Sequence, residues 1–214
     1  MEEITLRTGA WMRLRGPAAE TVVVCVNGGQ AAEVEGTWSA SLEWLVDRLA
    51  PRFPQIRFAE VRYRVKSWRQ LESCVEDARA AIDEAGGSTT WLMGFSMGGA
   101  VAISTADAPS VGGVLGLAPW IPDRVSVEPI RGKRLEVLHG SLDRYLPGVP
   151  GVSPVLSRRG FERCLAAGAT GSYTLLRGAV HGMAVRAPWG RPTPLPRAHA
   201  WLNWVAAQLD ALTG

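Results

Sequence analysis

Short apolar runs of strand character alternate with longer segments of helical period along most of this chain, and that rhythm restricts its fold more than any other feature. Val22–Val26 is continuous and rich in β-branched residues, as a strand buried on both faces requires. Residues 38–50 then set Trp38, Leu42, Leu45, Val46 and Leu49 at helical spacing. Ile56–Tyr63 reads as a second central strand, and 68–85 as a helix with Leu71, Val75, Ala78 and Ile82 on one face. Strands follow at Thr89–Phe95, Val111–Leu117, Leu135–His139 and Ser172–Leu176. Helices are expected at Met97–Asp107, 155–167 and 197–212, and a hairpin within 4–15 around Thr8-Gly9. The alternation predicts an α/β fold, one domain over 1–214, with a mostly parallel central sheet and helices on both faces. In such sheets reacting groups gather at the carboxyl ends of the strands.

One strand end carries chemistry openly. Thr89–Phe95 runs into Gly94-Phe95-Ser96-Met97-Gly98-Gly99, and a helix follows. This is a G-x-S-x-G turn in a strand–turn–helix setting. A serine on so sharp a turn projects its oxygen above the sheet. Gly94 and Gly98 are expected because a side chain there would collide where strand and helix approach. The helix also points its partial positive end at the site.

A serine hydroxyl needs an adjacent base to attack at neutral pH. The chain has three histidines. His181, in Val180-His181-Gly182 just past the last strand, is the candidate base. His139 ends a strand, and His199 lies off the apolar face of the final helix, where a surface histidine is expected. The base in turn needs a carboxylate to orient it. Asp143, in His139-Gly140-Ser141-Leu142-Asp143, follows a strand at the same edge; Asp123 is the second choice. The chain order Ser96, Asp143, His181 agrees with the α/β-hydrolase order.

Acyl transfer also needs donors for a developing oxyanion. The Met97 backbone N–H is one candidate. The loop Asn27-Gly28-Gly29-Gln30 after the first central strand supplies the other, Gly29 first and Gln30 second.

These motifs together resemble the α/β-hydrolase superfamily, in particular its small capless serine esterases and dienelactone-hydrolase-like members. The pieces that carry the resemblance are Gly-Phe-Ser-Met-Gly-Gly (94–99), His-Gly-Ser-Leu-Asp-Arg-Tyr-Leu-Pro (139–147) and Val-His-Gly (180–182). It covers roughly residues 20–212. It implies that Asp143 is the acid of a Ser-His-Asp triad and that the fold is the α/β-hydrolase fold. Two departures stand out. Asn27-Gly28 replaces the family's usual His-Gly, and Ser96 replaces the cysteine nucleophile of dienelactone hydrolases proper, which argues against their reaction.

Only about a dozen residues separate Trp120 from the strand near Leu135, too few for a cap domain. An open site is expected, with Gln30, Trp120, Tyr145 and Met183 as substrate-binding residues and Trp68 and Trp189 as further wall candidates. The Pro-rich stretch 188–196 is expected to form a loop beside His181. The implied activity is carboxylic ester hydrolysis through an acyl-enzyme. Thioester hydrolysis uses the same parts, and a non-catalytic binding protein on this fold is the alternative of a different class.

Bulk properties narrow the remaining classes. Net charge is +3, but the arginines are dispersed, without the basic run and interleaved aromatics of a nucleic-acid site. Cys25, Cys74 and Cys164 are odd in number and far apart, so no disulfide framework or metal site is expected. Cys25 falls within an apolar run and reads as a buried thiol. No apolar run approaches the roughly 20 residues that span a bilayer. The beginning of the chain has no secretory pattern, and a cytoplasmic location is expected. No cofactor, nucleic acid or membrane partner is expected, and the oligomeric state stays open.

Overall fold

A computed structural model describes residues 2–144 and 151–213. Strands β1 (Glu2–Thr5) and β2 (Trp11–Arg15) form the expected antiparallel hairpin. Then follow β3 (Thr21–Val26), α1 (Ala40–Leu49), β4 (Ile56–Arg62), α2 (Leu71–Ala85), β5 (Thr89–Phe95), α3 (Met97–Ser104) and β6 (Val111–Leu117). The chain ends with β7 (Arg134–Gly140), α4 (Pro154–Ala166), β8 (Thr170–Leu176), β9 (Ala184–Arg186), β10 (Pro192–Pro194) and α5 (Ala198–Thr213).

Eight strands make one sheet in the order β1-β2-β4-β3-β5-β6-β7-β8. From β4 to β8 every pairing is parallel; β1 and β2 are the antiparallel edge. Both faces are covered, as continuous apolar strands demand. One apolar cluster joins Val22, Val24, Leu92 and Val114 to Ala78, Ala81 and Val101 on α2 and α3. The other joins Val23, Phe58, Met93 and Leu115 to Leu45 and Leu49 on α1 and Trp201 and Val205 on α5. Cys25, Cys74 and Cys164 are buried and free.

Segment 118–133 between β6 and β7 holds one short 3-10 turn, so no cap stands over the sheet there. The stretch expected as a Pro-rich loop instead pairs β10 with β9 as a short hairpin, packed beside α1. Among the described residues no helix is long and apolar enough to cross a membrane.

Candidate active site

The turn after β5 departs from ordinary backbone at one residue. Ser96 has φ 55° and ψ −117°, which costs a non-glycine residue on the order of 1–3 kcal/mol. Three backbone bonds hold it there. Ser96 N–H donates to Leu117 O (3.0 Å), and the Gly99 and Trp120 N–H groups donate to Ser96 O (3.0 and 3.1 Å). The glycines have steric reasons. A Cβ on Gly94 would stand 2.4 Å from Gly98 O, and one on Gly98 would stand 2.1 Å from Val26 O.

The loop after β3 lies directly over this turn. A Cβ on Gly28 would stand 3.3 Å from Ser96 Cβ, and one on Gly29 would stand 2.2 Å from Met97 Sδ. Gly29 and Met97 are therefore neighbours. As the first residue of α3, Met97 has an N–H without an intrahelical acceptor. Asn27, at the departure from the family pattern, is buried. Its Nδ2 donates to Thr37 O (2.7 Å) and its backbone carbonyl accepts from Tyr63 OH (3.0 Å). It thus ties the loop to the wall of the cleft.

At the ends of β7 and β8 the two remaining loops meet. Leu142 N–H donates to Ala179 O (2.9 Å), and Ser141 Oγ accepts from Gly178 N–H (2.9 Å). Asp143 Oδ2 lies 2.7 Å from His181 Nδ1. Asp143 Oδ1 accepts from Val152 N–H at 2.8 Å. A carboxylate partner fixes the Nδ1–H tautomer of neutral His181 and leaves Nε2 as an acceptor. His139 also reaches this carboxylate, with Nε2 3.2 Å from Asp143 Oδ2 and 2.9 Å from Val152 O. Both neighbours accept, so His139 Nε2 carries the proton. Burial by itself would raise the Asp143 pKa. Hydrogen bonds from His139 and His181, the His181 charge and the Val152 N–H outweigh it and hold the carboxyl below its ordinary range.

Ser96 and His181 line one cleft of about 540 Å³ with Gly28, Gly29, Gln30, Trp38, Lys66 and Phe95, and the β9 residues Val185 and Arg186 close it. The Phe95 and His181 rings lie 5.1 Å apart. Ser41, buried at the start of α1, steadies the histidine loop. Its Oγ accepts from the Met183 and Ala184 N–H groups (3.0 and 3.2 Å) and donates to Ala184 O (3.1 Å).

Of the residues expected here, Ser96, His181, Gly29 and Gln30 share the cleft, Met97 underlies it, and Asp143 meets His181. Asp123 does not approach; it pairs with Arg159 (2.6 Å) and Arg163 (3.6 Å). His199 is exposed, edge-on to Trp44. Two expected wall residues are corrected. Met183 is fully buried in the core with Leu42 and Trp201, because Gly182 at φ 92° turns its side chain away from the His181 face. Trp120 packs edge-on against Trp68 and does not line the cleft. Trp68 borders a separate groove, and Trp189 is 73% exposed on the β9–β10 turn. Tyr145 lies outside the described residues.

The actual wall comes from residues 37–41, 66 and 184–186. Lys66 was legible in one respect, since it follows a central strand at the reactive edge of the sheet. No signal marked residues 37–41. Among the described residues no group of three His, Cys, Asp or Glu side chains is arranged to hold a metal.

A parallel-centred sheet with a strained serine at the β5–α3 turn, and no cap between β6 and β7, defines the class. The chain has the α/β-hydrolase fold. Its likeness to solved structures covers nearly its whole length. MGS-M1, an alpha/beta hydrolase enzyme from a Medee basin deep-sea metagenome library, superposes with TM-score 0.70 at 14% identity, over 99% of this chain and 97% of that one. TT1662 from Thermus thermophilus gives 0.65 at 17% identity, over 95% of each chain. The butyrate-bound esterase Est2 from Thermogutta terrifontis gives 0.65 at 16% identity, over 100% of this chain and 94% of that one. No protein-family model matches the chain, and no curated protein matches it.

Proposed function

We propose that the protein is a serine hydrolase that cleaves carboxylic esters through an acyl-enzyme. The observation that carries this reading is the 2.7 Å contact between Asp143 and His181, beside a cleft that His181 shares with the strained Ser96. In the proposed reaction Ser96 Oγ attacks the ester carbonyl carbon while His181 Nε2 takes its proton. The oxyanion accepts from the Met97 and Gly29 N–H groups. Collapse breaks the acyl–oxygen bond, and His181 returns the proton to the leaving alkoxide. Water, deprotonated by His181, then releases the acid and restores Ser96.

Asp143 holds His181 in the required tautomer and stabilises the imidazolium that forms. The cleft is open to a substrate beside Ser96, and an esterase of the same fold carries bound butyrate. Thioesters would be opened by the same steps.

Labelling with a fluorophosphonate, followed by peptide mapping, tests the reading. Ser96 should be labelled in the folded protein, and Ser96→Ala should abolish both labelling and para-nitrophenyl butyrate hydrolysis. A folded protein whose Ser96 stays unlabelled would be a binding protein on this fold.

A further inference from the structure

We infer that Lys66 makes this cleft select esters that carry a carboxylate. The inference rests on the serine-hydrolase reading and adds a substrate class to it.

The argument is one of charge pairing. Among the described residues, cations in the cleft and the adjoining pocket each have an acidic partner, except one. Arg186 pairs with Glu43 (3.0 Å) and also donates to Trp38 O and Gly190 O. Arg13 pairs with Glu60 (2.9 Å), and Arg62 pairs with Glu35. Lys66 lines the same cleft as Ser96 and donates to Thr37 Oγ1 at 2.7 Å. Among the described residues no carboxylate pairs with it. Burial lowers its pKa, with no acidic neighbour to offset the effect.

An ammonium has three donors and no acceptor. One N–H goes to Thr37, which leaves two for a ligand. A half-buried cation without a counter-charge is costly, and an anion in the cleft would relieve that cost. Lys66 is also held in position through its backbone, because its N–H donates to Val34 O (3.0 Å). Gln30, from the loop over Ser96, lines the same cleft.

Two matched ester pairs test this. Mono-para-nitrophenyl glutarate is compared with para-nitrophenyl valerate, where a methyl replaces the carboxylate on the acyl side. Para-acetoxybenzoate is compared with its methyl ester, which moves the charge to the leaving group. For one pair, the ratio of kcat/KM for the charged to the neutral ester should fall about tenfold in Lys66→Met, as expected for loss of a charge-assisted hydrogen bond. Lys66→Arg should restore most of that ratio. The wild-type ratio should also shrink as salt is added. Ratios that Lys66→Met leaves unchanged in both pairs overturn the inference while the hydrolase stands. If no ester is hydrolysed and Ser96 is not labelled by fluorophosphonate, the hydrolase reading fails and the inference falls with it.

Discussion

Asp143 Oδ2 lies 2.7 Å from His181 Nδ1, and the carboxylate that makes this contact is fully buried. Its geometry depends on the carboxylate accepting on both oxygens, since Oδ1 takes the Val152 N–H. An asparagine would offer an N–H where an acceptor is needed, and favour the wrong His181 tautomer. Asp143→Asn should therefore lower turnover by about 10⁴-fold, the loss known for triads altered in this way. Asp123→Asn should leave turnover within a few-fold, because Asp123 is engaged by Arg159 and Arg163 on the surface. Steady-state hydrolysis of para-nitrophenyl butyrate by the two variants decides it. A loss below tenfold for Asp143→Asn would remove that residue from the mechanism.

The same carboxylate makes stability depend on pH. His139, His181 and Val152 hold its pKa below the ordinary value, despite the burial that opposes them. As pH falls, the unfolded chain protonates Asp143 first, near the ordinary aspartate value of about 3.9. The stabilisation is thus full above that value and is lost as pH falls through the lower folded value. The stability gap between wild type and Asp143→Asn should be wider at about pH 6 than at about pH 3. Urea unfolding at the two pH values measures it. Other carboxylates are common to both proteins and cancel in the comparison.

Ser41 shows how a side chain outside the reacting set can hold the base. One buried hydroxyl serves the Met183 and Ala184 N–H groups, immediately after His181 and Gly182. Ser41→Ala strands two buried donors and should cost about 1–3 kcal/mol each in desolvation, unless water enters. It should also lower kcat more than it raises KM, since the hydrogen bonds lost are those that hold the loop carrying His181. Chemical denaturation gives the first quantity and kinetics the second. Unchanged kcat with lowered stability would make Ser41 structural alone.

What the sequence made legible follows from local pattern. β5 and β6 were readable to the residue as apolar runs bounded by turn signals, and the glycines around Ser96 announced a close approach. β9 and β10 were not, because each has three residues and Pro192 and Pro194 suppress any strand signal. Met183 follows His181 by two residues, yet it lies in the core, with Gly182 at φ 92° between them. Residues 37–41 of the cleft wall carried no local signal. Thr37 and Lys66 come together through Gly36 N–H to Arg64 O and Lys66 N–H to Val34 O, contacts that no spacing rule anticipates.

Steric need at Gly98 gives a sharp contrast within one substitution type. A Cβ there would stand 2.1 Å from Val26 O and 2.6 Å from Asn27 O, both backbone atoms. Neither can move without shifting α3 from β3, and the loop that moves is the one carrying Gly29. Gly98→Ala should lower stability by about 3 kcal/mol, the upper end for overpacking, and slow fluorophosphonate labelling of Ser96. Gly112, exposed on β6, provides the control. Its added Cβ would meet Trp91 Nε1 at 3.4 Å, an ordinary contact. Gly112→Ala should be neutral or stabilising by a few tenths of a kcal/mol, because alanine loses less backbone entropy on folding. Urea midpoints and labelling rates for the pair would reveal whether the close approach at Gly98 matters. Equal effects at the two positions would show that the turn tolerates a side chain and that its glycine has no steric role.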